Sequence, residues 1–219
     1  RHVGQGRRVR RSKNILQDPL AAHHRRGPGG IRGHGQNAPV AKQAASLAVL
    51  AERYPAETAA AFEQLEKEGK VRHFGVSNFL PMQFEMLQKH CNQRLVVNQV
   101  EFSPYCLEPL KNGNTEFFLK EGIVPMAWSP FAGGKLFNPT EPRGERIQFM
   151  LEEIAAETGA YSLEMVAVAW ILKHPARFIP IIGSGKIERL KMAVDALKVE
   201  LSREQWFRIL VSSQGQPVP

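Results

Sequence analysis

The chain has 219 residues with an ordinary apolar content of 43%, which allows one domain with a sizeable core or two small ones. It has no apolar run long enough to span a membrane and no apolar signal-peptide core, so we expect a cytoplasmic protein without a membrane role. Its two cysteines, Cys91 and Cys106, are too few for a disulfide framework and lack metal-ligand spacing. We therefore expect two reduced thiols and no metal site.

The formal charge of +8 is concentrated at the N-terminus. Residues 1–40 hold nine Lys and Arg against one acid, Asp18, whereas residues 41–219 hold 20 side chains of each sign. The first 40 residues also contain no Phe, Tyr or Trp, and no helical or strand period persists in them. Such a segment buries too little apolar surface to offset its chain entropy. We therefore expect residues 1–54 to be an irregular basic segment.

Three interpretations of this basic segment compete. A nucleic-acid-binding arm would use its charge, but it lacks aromatic side chains for base stacking, so we expect no nucleic-acid partner. A targeting peptide of the mitochondrial type would be amphipathic and rich in Ser, which this segment is not. A stretch translated out of frame from GC-rich DNA, or otherwise corrupted, would account for Arg, Gly, Pro, His and Ala together. We favour the third interpretation.

Regular elements are predicted from residue 41 onward, beginning with a short Ala-rich helix over 41–53. Pro55 to Glu68 is predicted to be an amphipathic helix, with Pro at its start and Gly69 after its end. Further helices are predicted over about 81–90, 108–121, 144–157, 162–173, 187–197 and 202–211, with Ser162 and Ser202 as N-caps. Short apolar runs predict strands over 71–76, 95–100, 123–128 and 178–182.

The alternation of short apolar strands with helices predicts βαβ units and a parallel sheet. Four such units fit either a doubly wound sheet or half of a (β/α)₈ barrel. No G-x-G-x-x-G follows any of the strands, whereas Gly183-Ser184-Gly185 follows the fourth, where barrels commonly bind phosphate. The sequence therefore favours a partial TIM-type barrel in which residues 55–219 supply strands five to eight.

Four segments, in register, resemble the aldo-keto reductase family. They are GKVRHFGVSNF (69–79), NQVEFSPY (98–105), PMAWSPFAGGKLF (125–137) and IPIIGSGKIERL (179–190). Their order and spacing match the family over about three quarters of the chain, and they are most similar to the bacterial branch of YdhF-type oxidoreductases. The resemblance implies a (β/α)₈ barrel that uses NADPH to reduce small carbonyl compounds.

The resemblance assigns a nicotinamide site to the ends of the fifth to seventh barrel strands. Ser77, Asn78 and Gln99 are similar to the residues that hydrogen-bond the nicotinamide carboxamide, which needs both donors and acceptors. Trp128 is similar to the aromatic residue that stacks on the nicotinamide ring. Taken singly, the three polar residues would more often cap strand ends, and Trp128 would more often be a core residue.

The resemblance assigns the rest of the cofactor to two loops. Ser129, Phe131, Gly133 and Gly134 are similar to the loop beside the pyrophosphate, where glycines allow close backbone approach. Ser184, Lys186 and Arg189 are similar to the site of the adenosine 2′-phosphate, which implies NADPH rather than NADH. Ala193 stands where many members carry Asn, so the resemblance does not extend to the adenine contact.

The resemblance also implies a catalytic Asp–Tyr–Lys–His tetrad that this sequence does not show. In the family, tyrosine is the proton donor, lysine and aspartate tune its pKa, and histidine orients the carbonyl, because the ordinary tyrosine pKa of about 10 is too high for acid–base work near neutrality. Tyr54, Tyr105 and Tyr161 do not stand in the family's pattern. We therefore predict no catalytic residue in this chain.

The segment in front of residue 55 departs most from the family. Leu47–Tyr54 (LAVLAERY) stands where the branch would show an apolar strand that ends in His-Arg-Pro-Asp-Pro. His23, His24 and His34 follow no apolar strand, so none of them is assigned the histidine role. Ser12–Gln17 (SKNILQ) faintly resembles the preceding helix. A frameshift and genuine divergence both remain open as explanations.

Two functions follow from this reading. The chain is either an aldo-keto reductase-type oxidoreductase acting on carbonyl compounds or a non-catalytic NADPH-binding fragment of one. Because the tetrad is missing, we expect this chain by itself to be a non-catalytic fragment. A third hypothesis, a nucleic-acid-binding protein, is supported only by the basic charge of residues 1–40.

Overall fold

The computed structural model describes residues 54–217. The irregular basic segment predicted over 1–54, except for its last residue, and the Ala-rich helix predicted over 41–53 lie outside the described residues. No helix within 54–217 combines the length and the apolar character needed to cross a bilayer.

Helices and short strands alternate along the described residues. They are α1 (Pro55–Lys67), β1 (Phe74–Ser77), α2 (Pro81–His90), β2 (Leu95–Glu101), α3 (Asn114–Glu121), β3 (Met126–Trp128), α4 (Pro142–Thr158), α5 (Leu163–Lys173), β4 (Ile179–Pro180), α6 (Ile187–Asp195) and α7 (Arg203–Gln214). Short 3₁₀ turns lie at Glu108–Leu110, Ala132–Gly134 and Ala196–Lys198.

The four strands form one parallel sheet in the order β1-β2-β3-β4, which confirms the predicted βαβ organisation. Ser77 of β1 lies opposite Gln99 of β2, and Glu101 of β2 lies opposite Trp128 of β3. Because all strands run the same way, their carboxyl ends meet at one edge of the sheet. The residues that the sequence assigned to a cofactor follow or end these strands.

Three of the predicted strands are longer than the observed ones. Lys70 and Val71 are bound to the end of α1 through the Leu65 carbonyl, so β1 begins only at Phe74. Pro125 has no N–H to donate, and β3 begins after it, at Met126. β4 is reduced to Ile179–Pro180, although Ile181 N still donates to Ala127 O at 2.8 Å. β2 agrees with its prediction to one residue.

The predicted helix over 108–121 is wrong as a single element. Gly113 has a φ of 82°, a left-handed conformation that a continuous helix does not allow. The 3₁₀ turn Glu108–Leu110 therefore ends before it, and α3 begins after it at Asn114. The Asn112 Oδ1 accepts from Asn114 N at 3.1 Å and holds this restart. Similarly, the helix predicted to reach 197 ends at Asp195 and continues as a 3₁₀ turn.

The predicted N-caps of the last helices are confirmed. The Ser162 hydroxyl accepts from Met165 N at 3.4 Å at the start of α5. Ser202 and Gln205 form a reciprocal capping box at the start of α7, with bonds of 3.0 and 2.8 Å. Each cap satisfies backbone donors that the first helical turn leaves without partners.

The two faces of the sheet differ in burial. Val76, Asn98, Val100 and Ala127 point toward the helices and are between 0% and 8% exposed. The opposite face carries Ser77, Gln99 and Trp128, which are half-buried, and Ile179, which is 50% exposed. Strand side chains alternate between faces, so one face makes the core and the other remains open.

β1 and β2 approach each other closely at Gly75. A Cβ at Gly75 would lie 2.3 Å from Val97 Cγ1 and 2.7 Å from the Val97 carbonyl oxygen. Only a residue without a side chain fits there, at the point where the register shifts between Phe74 and Gly75. Gly75 therefore sets the pairing that puts Ser77 opposite Gln99.

An aromatic cluster joins the sheet to the last helices. The Phe102 ring stacks on Phe178, with centroids 4.2 Å apart, and on Trp170 of α5, at 5.0 Å. Trp170 stacks in turn on Trp206 of α7 at 5.1 Å, and each indole donates to the other residue's carbonyl at 3.1 and 3.0 Å. The cluster thus combines apolar burial with satisfied indole donors.

His174 lies at the rim of this cluster in its neutral form. Its Nδ1 accepts from Ala176 N at 3.1 Å, and its ring contacts Phe178 edge-on at 5.3 Å. Burial lowers the pKa of His174 below its ordinary value, and the charge of Glu116 opposes this with a smaller effect. Protonation would remove the Nδ1 lone pair that holds Ala176.

We predict that His174 makes the protein less stable in mild acid. The pKa of His174 in the folded protein lies below the ordinary 6.5 of the unfolded chain. The stabilisation from neutral His174 is therefore fully present above pH 6.5. It is lost as the pH falls from there through the lowered pKa of the folded state. Urea unfolding followed by tryptophan fluorescence should show a smaller decline in the free energy of unfolding between pH 7 and 5 in His174→Asn. His90→Asn, at an exposed position, is the matched control. Equal pH slopes in wild type and His174→Asn would contradict this prediction.

Candidate functional site at the carboxyl ends of the strands

One backbone carbonyl connects the ends of β1 and β2. The Gln99 carbonyl oxygen accepts from Ser77 Oγ at 3.0 Å and from Asn78 N at 2.8 Å. Asn78 has a φ of 58°, a left-handed conformation that Asn adopts more readily than most residues. This conformation lets the Asn78 backbone bind Gln99.

Trp128 is held at the end of β3 by the Asn78 side chain. Its indole Nε1 donates to Asn78 Oδ1 at 3.0 Å. The ring is half-buried on the open face of the sheet, so Trp128 is not a core residue. The structure therefore brings Ser77, Asn78, Gln99 and Trp128 into one hydrogen-bonded group.

This group retains unused hydrogen-bonding capacity. Within residues 54–217, no hydrogen bond involves the Gln99 side-chain amide or the Asn78 Nδ2, and Ser77 Oγ has free lone pairs. Together they offer amide donors, an amide acceptor and a hydroxyl acceptor at one edge. A planar ligand carrying a carboxamide has complementary donors and acceptors.

The loop after β3 contains a run of left-handed residues. Ser129 has a φ of 52°, Ala132 of 50°, Gly133 of 65° and Gly134 of 95°. The glycines adopt this conformation without cost, whereas Ser129 and Ala132 are strained. Phe131 lies 5.5 Å from the Phe137 ring and packs against the core, which fixes one side of the loop.

The far end of this loop is tied to the segment after β2. The Tyr105 hydroxyl donates to the Glu141 carboxylate, which raises the pKa of Tyr105. Arg143 lies over the Tyr105 ring at 4.9 Å and donates to the Tyr105 carbonyl at 2.7 Å. Arg143 Nε also donates to Ser213 O at 3.0 Å, which joins both loops to α7.

The segment after β4 leads into the N-terminus of α6. The Ser184 hydroxyl accepts from Lys186 N at 3.2 Å, and Lys186 is the N-cap residue of the helix. The Lys186 and Arg189 side chains are exposed and form no ion pair within the described residues, although Glu188 lies in the same turn. Two free cations at a positive helix end favour an anion.

Other candidate chemistry is not assembled in the described part of the chain. No group of three or more His, Cys, Asp or Glu residues there is placed to hold a metal ion. Tyr161 donates to Asp195 at 2.9 Å, Tyr105 binds Glu141, and Tyr54 is 51% exposed at the start of α1. Cys91 and Cys106 are both free thiols, as predicted, and burial raises the pKa of each.

The sequence analysis missed a group of residues beside Trp128. Glu101, Asn112 and Asn114 line a cavity of about 330 Å³ together with Asn78 and Trp128. The Asn-Gly-Asn sequence at 112–114 is a turn signal that contradicted the continuous helix predicted there. Treating it as a turn would have ended the first part of the predicted helix before Asn112 and begun a new helix at Asn114.

We predict that Asn78 alone holds the Trp128 indole. Asn78→Ala removes the acceptor and places a less tolerant residue at positive φ, so stability should fall by about 1–2 kcal/mol. In a ¹H–¹⁵N spectrum, the Trp128 indole signal should shift and its proton should exchange faster. The Trp170 and Trp206 indoles, which bind each other's carbonyls, are internal controls. An unchanged Trp128 signal would contradict the prediction.

Comparisons with known sequences identify the family to which this chain is related. Residues 38–211 match the Aldo/keto reductase family. The oxidoreductase YcsN of Bacillus subtilis is 45% identical over 75% of this chain and 55% of its own length. Oxidoreductase YdhF of Escherichia coli is 45% identical over 74% of this chain and 54% of its own length. A 6-dehydroglucose reductase of Agrobacterium fabrum is 38% identical over 74% of this chain and 53% of its own length. The chain thus spans about half the length of these relatives.

Solved structures give the same result. A thermostable aldo-keto reductase, Tm1743, is 28% identical with a TM-score of 0.65, over 72% of this chain and 54% of that one. Aldose reductase from Giardia lamblia is 26% identical, with a TM-score of 0.61, over 75% of this chain and 52% of that one. These likenesses identify the parallel α/β sheet as a TIM-type barrel fold. The chain belongs to the aldo/keto reductase family of oxidoreductases, in the branch that includes YdhF and YcsN.

Proposed function

We propose that residues 55–217 supply strands five to eight of the family's barrel and bind NADPH in an oxidoreductase that acts on small carbonyl compounds. The observation that carries this proposal is the hydrogen-bonded group of Ser77, Asn78, Gln99 and Trp128. It combines an oriented indole with unused amide groups, which suits a nicotinamide ring and its carboxamide. When bound, the cofactor would supply the hydride.

The remaining parts of the site fit the other end of such a cofactor. Of the loop residues Ser129, Phe131, Gly133 and Gly134, all but Phe131 have a left-handed backbone, and the two glycines leave the backbone open to close approach, which suits a pyrophosphate. Ser184, Lys186 and Arg189 lie at the start of α6, as the next strand-end feature along the sheet. A family member named NADPH-dependent alpha-keto amide reductase, from Saccharomyces cerevisiae, is 29% identical over 65% of this chain and 44% of its own length.

NADPH is proposed over NADH because of the two cations. The 2′-phosphate that distinguishes NADPH is a dianion, and Lys186 and Arg189 have no competing carboxylate partner within the described residues. Charge-assisted bonds from both would favour NADPH selectively. The backbone at the N-terminus of α6 adds positive potential at the same place.

A second candidate, a non-catalytic NADPH-binding fragment, is favoured by the environments of the tyrosines. The pKa of Tyr105 is raised by its bond to Glu141, and the pKa of Tyr161 by its bond to Asp195. A proton donor that works near neutrality needs the opposite shift. We propose that the 219 residues by themselves lack the family's tetrad and do not reduce carbonyls.

We predict a preference for NADPH that depends on Arg189. Arg189→Ala should weaken NADPH binding by about 1.5–3 kcal/mol, roughly 10- to 150-fold, and leave NADH binding unchanged. Titration by calorimetry would measure both cofactors. Lys191→Ala, an exposed cation on the same helix, is the matched control and should bind as wild type does. Equal affinity for NADPH and NADH in the wild type would remove the 2′-phosphate assignment.

We predict no turnover by the purified 219-residue chain. NADPH oxidation at 340 nm with an aldehyde such as glyceraldehyde should stay at the rate of the protein-free control, because carboxylate partners raise the pKa values of Tyr105 and Tyr161. The converse result is specific: measurable turnover that disappears in His24→Ala or Tyr54→Phe would show that a tetrad exists in this chain.

A further inference from the structure

Lys135 places a cation at the end of the left-handed loop after β3. It directly follows Gly134, the last residue of the 3₁₀ turn Ala132–Gly134. Its side chain is exposed, and within residues 54–217 its ammonium group forms no hydrogen bond and no ion pair. The ammonium nitrogen lies over the Tyr105 ring, 5.7 Å from the ring centroid. A free cation is thus held beside the loop proposed to bind a pyrophosphate.

The position of Tyr105 is set by elements outside this loop. Its backbone N donates to Ser103 Oγ at 3.1 Å, and Ser103 is fully buried. Arg143 of α4 donates to the Tyr105 carbonyl at 2.7 Å and lies over the ring. The α4 backbone also approaches the ring at Gly144, where an added Cβ would lie 3.4 Å from Tyr105 Cε2. The segment after β2 and the first turn of α4 therefore fix the tyrosine.

Glu141 is the carboxylate that competes for Lys135. It stands further along the same loop and contacts the same tyrosine, because the Tyr105 hydroxyl donates to its carboxylate. Arg143 has less capacity to bind Glu141, since its Nε and Nη2 already donate to Ser213 and to the Tyr105 carbonyl. If the tyrosine hydroxyl were removed, the cation without a partner beside Glu141 would be Lys135. An ion pair between the two would neutralise the cation of the loop.

We infer that Tyr105 is a positioning residue, whose hydroxyl holds the Glu141 carboxylate away from Lys135 and keeps the ammonium group free for a diphosphate. Nothing lies within 4 Å of the place of an added Cβ at Gly133 or Gly134, so an anion can approach the backbone next to Lys135. Tyr105 acts through the two charged side chains and does not itself touch the ligand. The inference rests on the proposed function only for the diphosphate being part of NADPH.

The test uses the full 219-residue chain with inorganic diphosphate as the probe. Calorimetry measures the affinity, and the amide NMR signals of Gly133 and Gly134 locate the binding. Lys135→Ala should weaken diphosphate binding roughly tenfold, because a charge-assisted contact is lost. Lys89→Ala removes an exposed cation on α2 and is the matched control, which should bind diphosphate as wild type does.

A double-mutant cycle tests the role of the Tyr105 hydroxyl. Tyr105→Phe removes only that hydroxyl, and the released Glu141 should pair with Lys135 and weaken diphosphate binding about two- to fivefold, the range of an exposed ion pair. Glu141→Gln removes the competing charge and should bind at least as tightly as wild type. In the Glu141→Gln background, Tyr105→Phe should have no effect on affinity. A hydroxyl that only stabilised the loop would weaken binding in both backgrounds.

The same cycle with NADPH separates this inference from the proposed function. Diphosphate binding that follows the cycle in a chain that does not bind NADPH would support the inference and remove the proposed function. NADPH binding that none of these substitutions changes would leave the proposed function standing and overturn the inference. Unmoved Gly133 and Gly134 signals, wild-type diphosphate affinity in Lys135→Ala, or an equal effect of Tyr105→Phe in both backgrounds would overturn it as well.

Discussion

The Gln99 carbonyl oxygen is the point on which the candidate site depends. It accepts from the Ser77 hydroxyl and from the Asn78 backbone, and Asn78 in turn holds the Trp128 indole. These hydrogen bonds require Ser77 to lie opposite Gln99. Glycine at position 75 permits this register, because a side chain there would collide with Val97 on the neighbouring strand. The close approach of two strands therefore determines the position of a side chain on a third.

The aromatic cluster behind the sheet supports this arrangement from the other side. Phe102 follows β2 directly and stacks on Phe178 and Trp170, so the segment after the Gln99 strand is fixed to α5. The reciprocal indole bonds of Trp170 and Trp206 extend that contact to α7. Packing in this region leaves few alternative positions for the strand ends, which is the condition for a preorganised site.

Sequence patterns predicted the order and type of most elements, because strand period, helix caps and Pro or Gly at helix ends are local signals. They overestimated β1, whose first predicted residues bind the end of α1, and β3 and β4, each of which has a proline at one end. They also merged Glu108–Leu110 with α3 across Gly113. The cavity at Asn114 could not be predicted, since it depends on how three separate segments meet.

The two ends of the proposed cofactor site differ in how firmly the fold holds them. Ser77, Gln99 and Trp128 belong to strands with buried faces and Asn78 directly follows β1, whereas α6 buries only Met192 and exposes Ile187, Leu190 and Val194. β4, the strand that precedes α6, has one neighbour in the described sheet. Because α6 buries little apolar surface, we expect its position to be less firmly fixed than that of the strand ends. In the proposed cofactor site, we therefore expect the nicotinamide end to be more preorganised than the phosphate end.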